Sequence, residues 1–136
     1  VVYLADCLSS EETLEKYQIN FVYDVAEYVR TLEQVREMQA ALFVPAHAAA
    51  TEDIAGLAQK NLDKVEEIGE RILAICREPV TFEEILRKLF EDYGLLMDFQ
   101  QYVLVGSTIR SYLAWLRDGE RADVLFDGGR MLWQRI

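Results

Sequence analysis

Two short apolar runs in the first third of the chain have the composition of buried strands. Val1–Ala5 is rich in β-branched and aromatic residues, and Leu42–Val44 is an apolar run that ends at Pro45. Proline has no backbone N–H to donate to a sheet, so we expect the second strand to stop there. Between the two runs, apolar residues recur at helical spacing from about residue 25 to residue 39. The pattern therefore predicts a strand–helix–strand unit.

Capping and turn residues divide the remainder of the chain into helices and one hairpin. Ser9 with Glu12 has the form of a capping box and predicts a short helix through about Lys16. The later apolar spacing predicts three helices, from a cap at Thr51 to Pro79, from a cap at Thr81 to Gly94, and from about Asp98 to Arg117. A hairpin is predicted around residues 127–129, Asp-Gly-Gly, which supply the positive φ values of a tight turn. Three helices followed by a hairpin is the order of elements in a winged helix. The C-terminal part of the long helix that begins at Thr51 would be the first of these three helices.

The composition indicates a folded protein in a reducing compartment. The chain has 136 residues, of which 51% are hydrophobic, and this content excludes a disordered tail. Neither a signal peptide nor an apolar run long enough to cross a membrane is present, so we expect no membrane partner. The two cysteines, Cys7 and Cys76, lie far apart and form no metal-binding or redox pair, which favours a cytoplasmic location over a disulfide scaffold.

The charge distribution argues against a nucleic-acid partner. The formal net charge is −10, and residues 80–136 carry 7 Lys/Arg against 9 Asp/Glu. The predicted recognition helix of the winged-helix part has only Arg110 and Arg117 as cations. Binding to phosphates needs clustered positive charge that releases counterions. We therefore expect no binding to duplex DNA.

Two candidate metal ligands directly follow the predicted strands. Asp6 comes after the first run, and His47, the only histidine of the chain, comes after the second. Side chains at such strand ends lie at a sheet edge, where α/β proteins place their chemistry. The alternative is that Asp6 caps a turn and that His47 is an ordinary strand-end histidine.

Several stretches together resemble the metallo-β-lactamase-fold hydrolases, in the branch that carries a C-terminal winged-helix-like domain. The stretches are residues 1–6, 21–25, 28–32, 43–47, 79–86 and the helical pattern from Asn61 to Leu73. The most specific is Phe43-Val44-Pro45-Ala46-His47, which resembles a strand end of that family, although Ala48 stands where the family has glycine. The resemblance implies a zinc-dependent hydrolase with two ions in the intact protein. In it, Asp6 would be the aspartate that bridges the metals and His47 the last histidine ligand.

The resemblance also implies a fold class and a division of the chain. The fold is expected to be α/β, the C-terminal part of an αββα metallo-β-lactamase-type domain, followed by a small winged-helix α+β domain. The expected segments are 1–50 for the first domain, 51–78 for a long connecting helix and 79–136 for the winged-helix-like domain. Because the chain begins inside an apolar run, we expect it to be the C-terminal part of a longer protein.

The expected partners follow from the same resemblance. They are a small-molecule ester, thioester or related substrate, the N-terminal half of the same protein, and a second copy of the chain in a homo-oligomer. The HxHxDH signature of the family is absent, so the segment alone is expected to be inactive. Phe21 and Tyr23 are candidates for an apolar wall of the substrate pocket, the alternative being an ordinary helix-entry loop. The alternative function is a non-enzymatic winged-helix module that mediates interaction or dimerisation.

Overall fold

The computed structural model describes residues 2–38, 43–47 and 54–136, and for residues 2–7 and 43–47 it describes the backbone alone. The elements are β1 (Val2–Ser9), α1 (Glu11–Tyr17), α2 (Val25–Glu37), β2 (Phe43–His47), α3 (Ile54–Ile75), α4 (Phe82–Asp92), α5 (Phe99–Asp118), β3 (Ala122–Asp127) and β4 (Arg130–Arg135). They form two compact units, Val1–Asn20 with Ala26–Glu66 and Phe21–Val25 with Glu67–Ile136. The segment boundaries given by the resemblance stay a prediction. None of the helices in the described ranges is long and apolar enough to cross a membrane.

The first unit is built on a parallel pair of strands. β1 pairs with β2 through Val2 with Phe43, Tyr3 with Val44, Ala5 with Pro45 and Ser9 with His47. The predicted strand–helix–strand unit is thus confirmed, but β2 continues through Pro45 to His47 instead of stopping at the proline. The register shifts next to this proline. A residue without an N–H is tolerated at such an irregularity, where the ladder is already interrupted.

A small apolar core lies between the helices and β1 of the first unit. Its buried side chains are Leu8, Leu32, Val35, Ile54, Ala58 and Leu62. The predicted helical spacing of α2 and α3 is confirmed by this burial, because residues three and four positions apart share the face that packs.

The predicted capping box at Ser9 is wrong. Ser10 is the N-cap of α1 and accepts a hydrogen bond from the Thr13 N–H, while Ser9 is the last residue of β1.

The second unit contains the end of α3, then α4, α5 and the hairpin β3–β4. Thr81 caps α4 as predicted, and Asp98, predicted only as the approximate start of a helix, caps α5; their side-chain oxygens accept from Glu84 N and Gln101 N at 3.3 and 2.8 Å. The hairpin turns at Gly128 and Gly129, with φ of 59° and 77°. Positive φ at both central residues is what a two-residue turn of this kind requires. Local sequence therefore accounts for these three boundaries.

Val80 adds a third chain segment beside the hairpin. Its N–H donates to Trp133 O at 3.0 Å, and Trp133 N donates to Val80 O at 2.7 Å. The order of elements is therefore helix, bridge, helix, helix and hairpin. Within this unit, α3 and α5 approach closely at Gly69, where a Cβ would lie 3.2 Å from the Trp115 ring.

Candidate metal centre

The parallel pairing of β1 and β2 places Asp6 and His47 in the same part of the sheet. The prediction that Asp6 directly follows the first strand is wrong, because β1 continues to Ser9; Asp6 lies within β1, between the Ala5–Pro45 pair and the Ser9–His47 pair, and His47 is the last residue of β2. Because the strands run in the same direction, their carboxyl ends meet at one edge. The side chains of Asp6 and His47 lie outside the described residues. The distance between their carboxylate and imidazole, and hence the predicted shared metal centre, stays a prediction.

The register of the sheet is irregular over the interval that contains Asp6. Between the Ala5–Pro45 pair and the Ser9–His47 pair, β1 advances four residues while β2 advances two. Extra residues in one strand bend it and change the direction of its side chains, and such bulges are frequent beside active sites. The backbone of β1 therefore departs from regular strand pairing over Asp6–Leu8, beside the end of β2.

Asn61 of α3 fixes the end of β1. Its Oδ1 accepts from the Ser9 N–H at 2.8 Å and from the Tyr28 hydroxyl at 3.0 Å. Its Nδ2 donates to Ser9 O at 2.8 Å and to Leu57 O at 2.9 Å. Asn61 is only 1% exposed, and its three partner residues are half-buried. Buried, fully paired amides are rigid, and this one holds both main-chain groups of the residue that pairs with His47.

Sequence reasoning gave Asn61 no role, although one signal was present. Its position falls within the buried face of α3, which also carries Ala58, Leu62 and Val65. A polar side chain within an apolar stripe must find hydrogen-bond partners or destabilise the fold. That rule would have singled out Asn61 but not its partner, since Ser9 is 52 residues away in the chain.

The donor types at this edge suit a divalent metal, but two ligands fill only part of a coordination shell. Aspartate oxygen and neutral histidine nitrogen are both ordinary zinc ligands, and a structural or catalytic zinc takes at least three protein ligands. Among the side chains that the structure describes, no group of three or more His, Cys, Asp or Glu could hold a metal ion. Asp6 and His47 therefore fit zinc as two members of a larger ligand set.

The proposed pocket residues Phe21 and Tyr23 belong to the second unit. They are 57% and 86% exposed, whereas Val22 and Val25 of the same segment are buried. Two side chains of α5 hold the segment, because Thr108 Oγ1 accepts from Val22 N at 3.0 Å and Ser111 Oγ accepts from Val25 N at 2.9 Å. Sequence reasoning missed both hydroxyls, which lie 86 residues away from the groups that they bind. The role of Phe21 and Tyr23 as a pocket wall stays a prediction.

Cys76 is inert by its surroundings. Its side chain is fully buried, and burial raises the pKa of the Cys76 thiol from 9.0 to about 12. A thiol that stays protonated is neither a nucleophile nor a metal ligand at neutral pH. The side chain of Cys7, the other cysteine, lies outside the described residues.

Comparisons with known proteins support the fold. No protein-family model matches the chain, and no curated protein matches it. Among solved structures, a metallo-beta-lactamase family protein from Thermus thermophilus aligns over 82% of this chain with 17% identity and a TM-score of 0.63. A beta-lactamase domain protein from Burkholderia ambifaria aligns over 97% of this chain with 15% identity and a TM-score of 0.73.

The aligned part is a minority of each of those proteins. This chain covers 33% of the Thermus protein and 40% of the Burkholderia protein. At these identities the likeness concerns the fold, and fold alone does not determine function. In fold, the chain is thus similar to a part of a metallo-beta-lactamase family protein.

Proposed function

We propose that this chain is part of a metal-dependent hydrolase of the metallo-β-lactamase superfamily, to which it contributes Asp6 and His47 as zinc ligands. The observation that carries the proposal is the parallel pairing of β1 and β2, in which Asp6 lies in the irregular last part of β1 beside the end of β2 that bears His47. The fold similarity over 97% of the chain adds to it. The remaining ligands would come from the N-terminal part of the same protein, because two residues do not complete a zinc shell.

Each residue has a distinct part in the proposed centre. Asp6 would be a carboxylate ligand shared by two cations, and His47 would be a neutral imidazole ligand of the same centre. Asn61 would keep the end of β1 in place through the Ser9 main chain. Bound zinc would supply the lowered pKa of a water molecule that hydrolysis of an ester, thioester or related substrate needs at neutral pH. Phe21 and Tyr23 would offer apolar contact to that substrate.

The second unit is proposed to be a winged-helix-like domain without affinity for duplex DNA. The order of helix, bridge, helix, helix and hairpin supports the winged-helix-like fold. The surplus of acidic residues over residues 80–136 supports the lack of affinity for duplex DNA.

The alternative function is a non-enzymatic module that mediates interaction between subunits. One observation favours it, namely the exposed apolar residues Leu96 and Met97 just before α5 and Phe99 at its start. Exposed apolar patches on folded domains mark interaction sites.

The test of the enzyme proposal uses the full-length protein that contains this chain. Asp6→Asn keeps the shape of the side chain and removes the bridging charge, and His47→Ala removes a direct ligand. Each is expected to lower zinc content by about one ion per molecule and to lower the rate on a panel of ester and thioester substrates by orders of magnitude. Asp63→Asn, on the surface of α3, is the matched control and should change neither. If either site variant kept wild-type zinc content and wild-type rate, the proposed metal site would be wrong.

The isolated 136-residue chain provides a second measurement. With two ligands it should bind zinc weakly, lose it on dialysis and hydrolyse none of the panel. Tight binding of zinc by this chain alone would contradict the incomplete ligand set.

A further inference from the structure

The segment Phe21–Val25 alternates between buried and exposed side chains, although its first four residues form neither helix nor strand. Val22 and Val25 are buried, whereas Phe21 and Tyr23, on either side of Val22, are exposed. An irregular segment makes few hydrogen bonds within itself, so its conformation depends on the groups that lie against it. Burial of Val22 therefore fixes the two aromatic rings at the surface.

Two hydroxyl groups of α5 hold this segment by its main chain. Thr108 Oγ1 accepts from Val22 N at 3.0 Å, and Ser111 Oγ accepts from Val25 N at 2.9 Å. Thr108 is 0% exposed, so its bond is made in the interior of the second unit. Thr108 and Ser111 lie three residues apart on α5 and thus share one face of the helix. A buried N–H without an acceptor is costly, and these two bonds therefore favour one conformation of the segment.

We propose that Thr108 and Ser111 are positioning residues for substrate selection, which hold Phe21 and Tyr23 ready to contact an apolar part of the substrate. The inference rests on the proposed hydrolase function and narrows its substrate class. The substrates are esters, thioesters or related compounds whose acyl or leaving group carries an apolar chain. The two hydroxyls act through the main chain of Val22 and Val25 and do not touch the substrate themselves.

The composition of the segment suits an apolar and uncharged group. Asp24 is the only charged residue from Gln18 to Val25, so no Lys or Arg of this stretch can pair with an anionic group. Phe and Tyr side chains offer a large apolar surface and lose little conformational entropy on binding, because each has only two χ angles. A main chain that is already held in place adds no further ordering cost when the ligand binds.

The alternative is that the two bonds serve only the stability of the second unit. In that case, loss of the Thr108 hydroxyl lowers the rate on all substrates alike or leaves it unchanged. A positioning role makes a different prediction. The selectivity between substrates then changes, and it changes only while Phe21 and Tyr23 are present.

The experiment measures kcat and KM of the full-length protein that contains this chain on matched pairs of esters and thioesters. The members of a pair differ in one alkyl group, methyl against pentyl, on the acyl side or on the leaving-group side. The wild-type protein should favour the pentyl member of at least one pair about tenfold or more in kcat/KM, since an apolar pocket discriminates by roughly this factor for each methylene.

Thr108→Val keeps the shape of the side chain but offers no acceptor to Val22 N. It should lower the preference for the pentyl member about tenfold, through KM, and leave kcat on the methyl member and the zinc content unchanged. Thr108→Ser keeps the hydroxyl and should keep the preference. Ser111→Ala, at a half-buried position, should act in the same direction as Thr108→Val with less effect on the fold. Ser107→Ala is the matched control, because Ser107 is an exposed hydroxyl residue of α5, and it should change nothing.

Two further measurements show whether the hydroxyls act through the segment. In a background with Phe21→Ala and Tyr23→Ala, Thr108→Val should have no additional effect on the preference. Hydrogen exchange of the Val22 amide gives a readout that is independent of activity. This amide should exchange about tenfold faster in Thr108→Val, because it loses its acceptor, and at the wild-type rate in Ser107→Ala.

An unchanged preference in Thr108→Val would overturn the inference, whatever the exchange of the Val22 amide. So would an equal loss of rate on both members of each pair, or an effect of Thr108→Val that persists without Phe21 and Tyr23. A wild-type protein that hydrolyses both members of every pair equally well would overturn it too. Failure of the proposed function is distinct from these results, because it shows as wild-type zinc content and wild-type rate in Asp6→Asn or His47→Ala.

Discussion

Replacement of Asn61 by leucine should destabilise the first unit more than any surface substitution on the same helix. Leucine has the same branched arrangement of side-chain heavy atoms as asparagine, with bulkier methyl groups, and forms no hydrogen bond. The change removes the partner of the Ser9 N–H and of the Ser9 carbonyl, both bonded at 2.8 Å. It also removes the acceptor of the Tyr28 hydroxyl. The main-chain groups of Ser9 cannot move without disturbing the pairing with His47.

The magnitude follows from the groups left without a partner. An unpaired buried donor or acceptor costs about 1–3 kcal/mol, and the N–H and carbonyl of the half-buried Ser9 both lose their Asn61 partner. Burial of the apolar leucine side chain offsets part of this loss of stability. We expect a net loss of about 3 kcal/mol in the free energy of unfolding.

Two further variants separate the hydrogen bonds from mere packing. Gln59→Leu, at an exposed position of α3, should change the stability by less than about 0.5 kcal/mol. Asn61→Asp keeps the acceptor but brings a carboxylate against the carbonyls of Ser9 and Leu57. Burial raises the pKa of such a carboxyl above its value in the unfolded chain, so the folded form binds the proton more tightly. This variant should therefore gain stability as the pH falls.

The measurements are urea unfolding followed by far-ultraviolet circular dichroism and hydrogen exchange of the Ser9 amide. The amide should exchange faster in Asn61→Leu and stay protected in Gln59→Leu. If Asn61→Leu lost no more stability than Gln59→Leu and kept the protection of the Ser9 amide, the role of Asn61 would be refuted.

Two remaining predictions concern the second unit. In a Cys7→Ser background, Cys76 should not react with a thiol reagent at pH 8 unless the protein unfolds, as followed by the absorbance of the released reagent. Because the pKa of Cys76 is raised from 9.0 to about 12, its contribution to stability is full below about pH 9 and is lost as the pH rises toward 12. The free energy of unfolding of Cys76→Ala should lack this decrease between about pH 9 and pH 12. Titration of the chain with duplex DNA at low salt should show no binding, and a salt-sensitive micromolar affinity would contradict the charge argument.

Short-range patterns in the sequence were sufficient for most helix ends and for the hairpin. The caps at Thr81 and Asp98 bind N–H groups three residues ahead, and the hairpin turns at two adjacent glycines. These features depend on contacts within one turn of the chain, where residue type and spacing decide the geometry. The order of the helices and the existence of the first two strands were also predictable from local patterns. The surplus of acidic residues follows from the composition alone.

The tertiary structure alone decided which distant groups meet. The sequence predicts Ser9 as the cap of α1, but Ser9 ends β1, with its main chain bonded to Asn61 from 52 residues away, and Ser10 caps the helix. The shift of register beside Asp6 and the anchoring of Val22 by Thr108 are likewise invisible in the local pattern. The spacing of apolar residues indicates which face of a helix is buried, but it does not indicate which buried hydrogen-bond donor meets which acceptor. That pairing is fixed only when the helices and strands pack, because each buried polar group must then be satisfied by whatever lies against it.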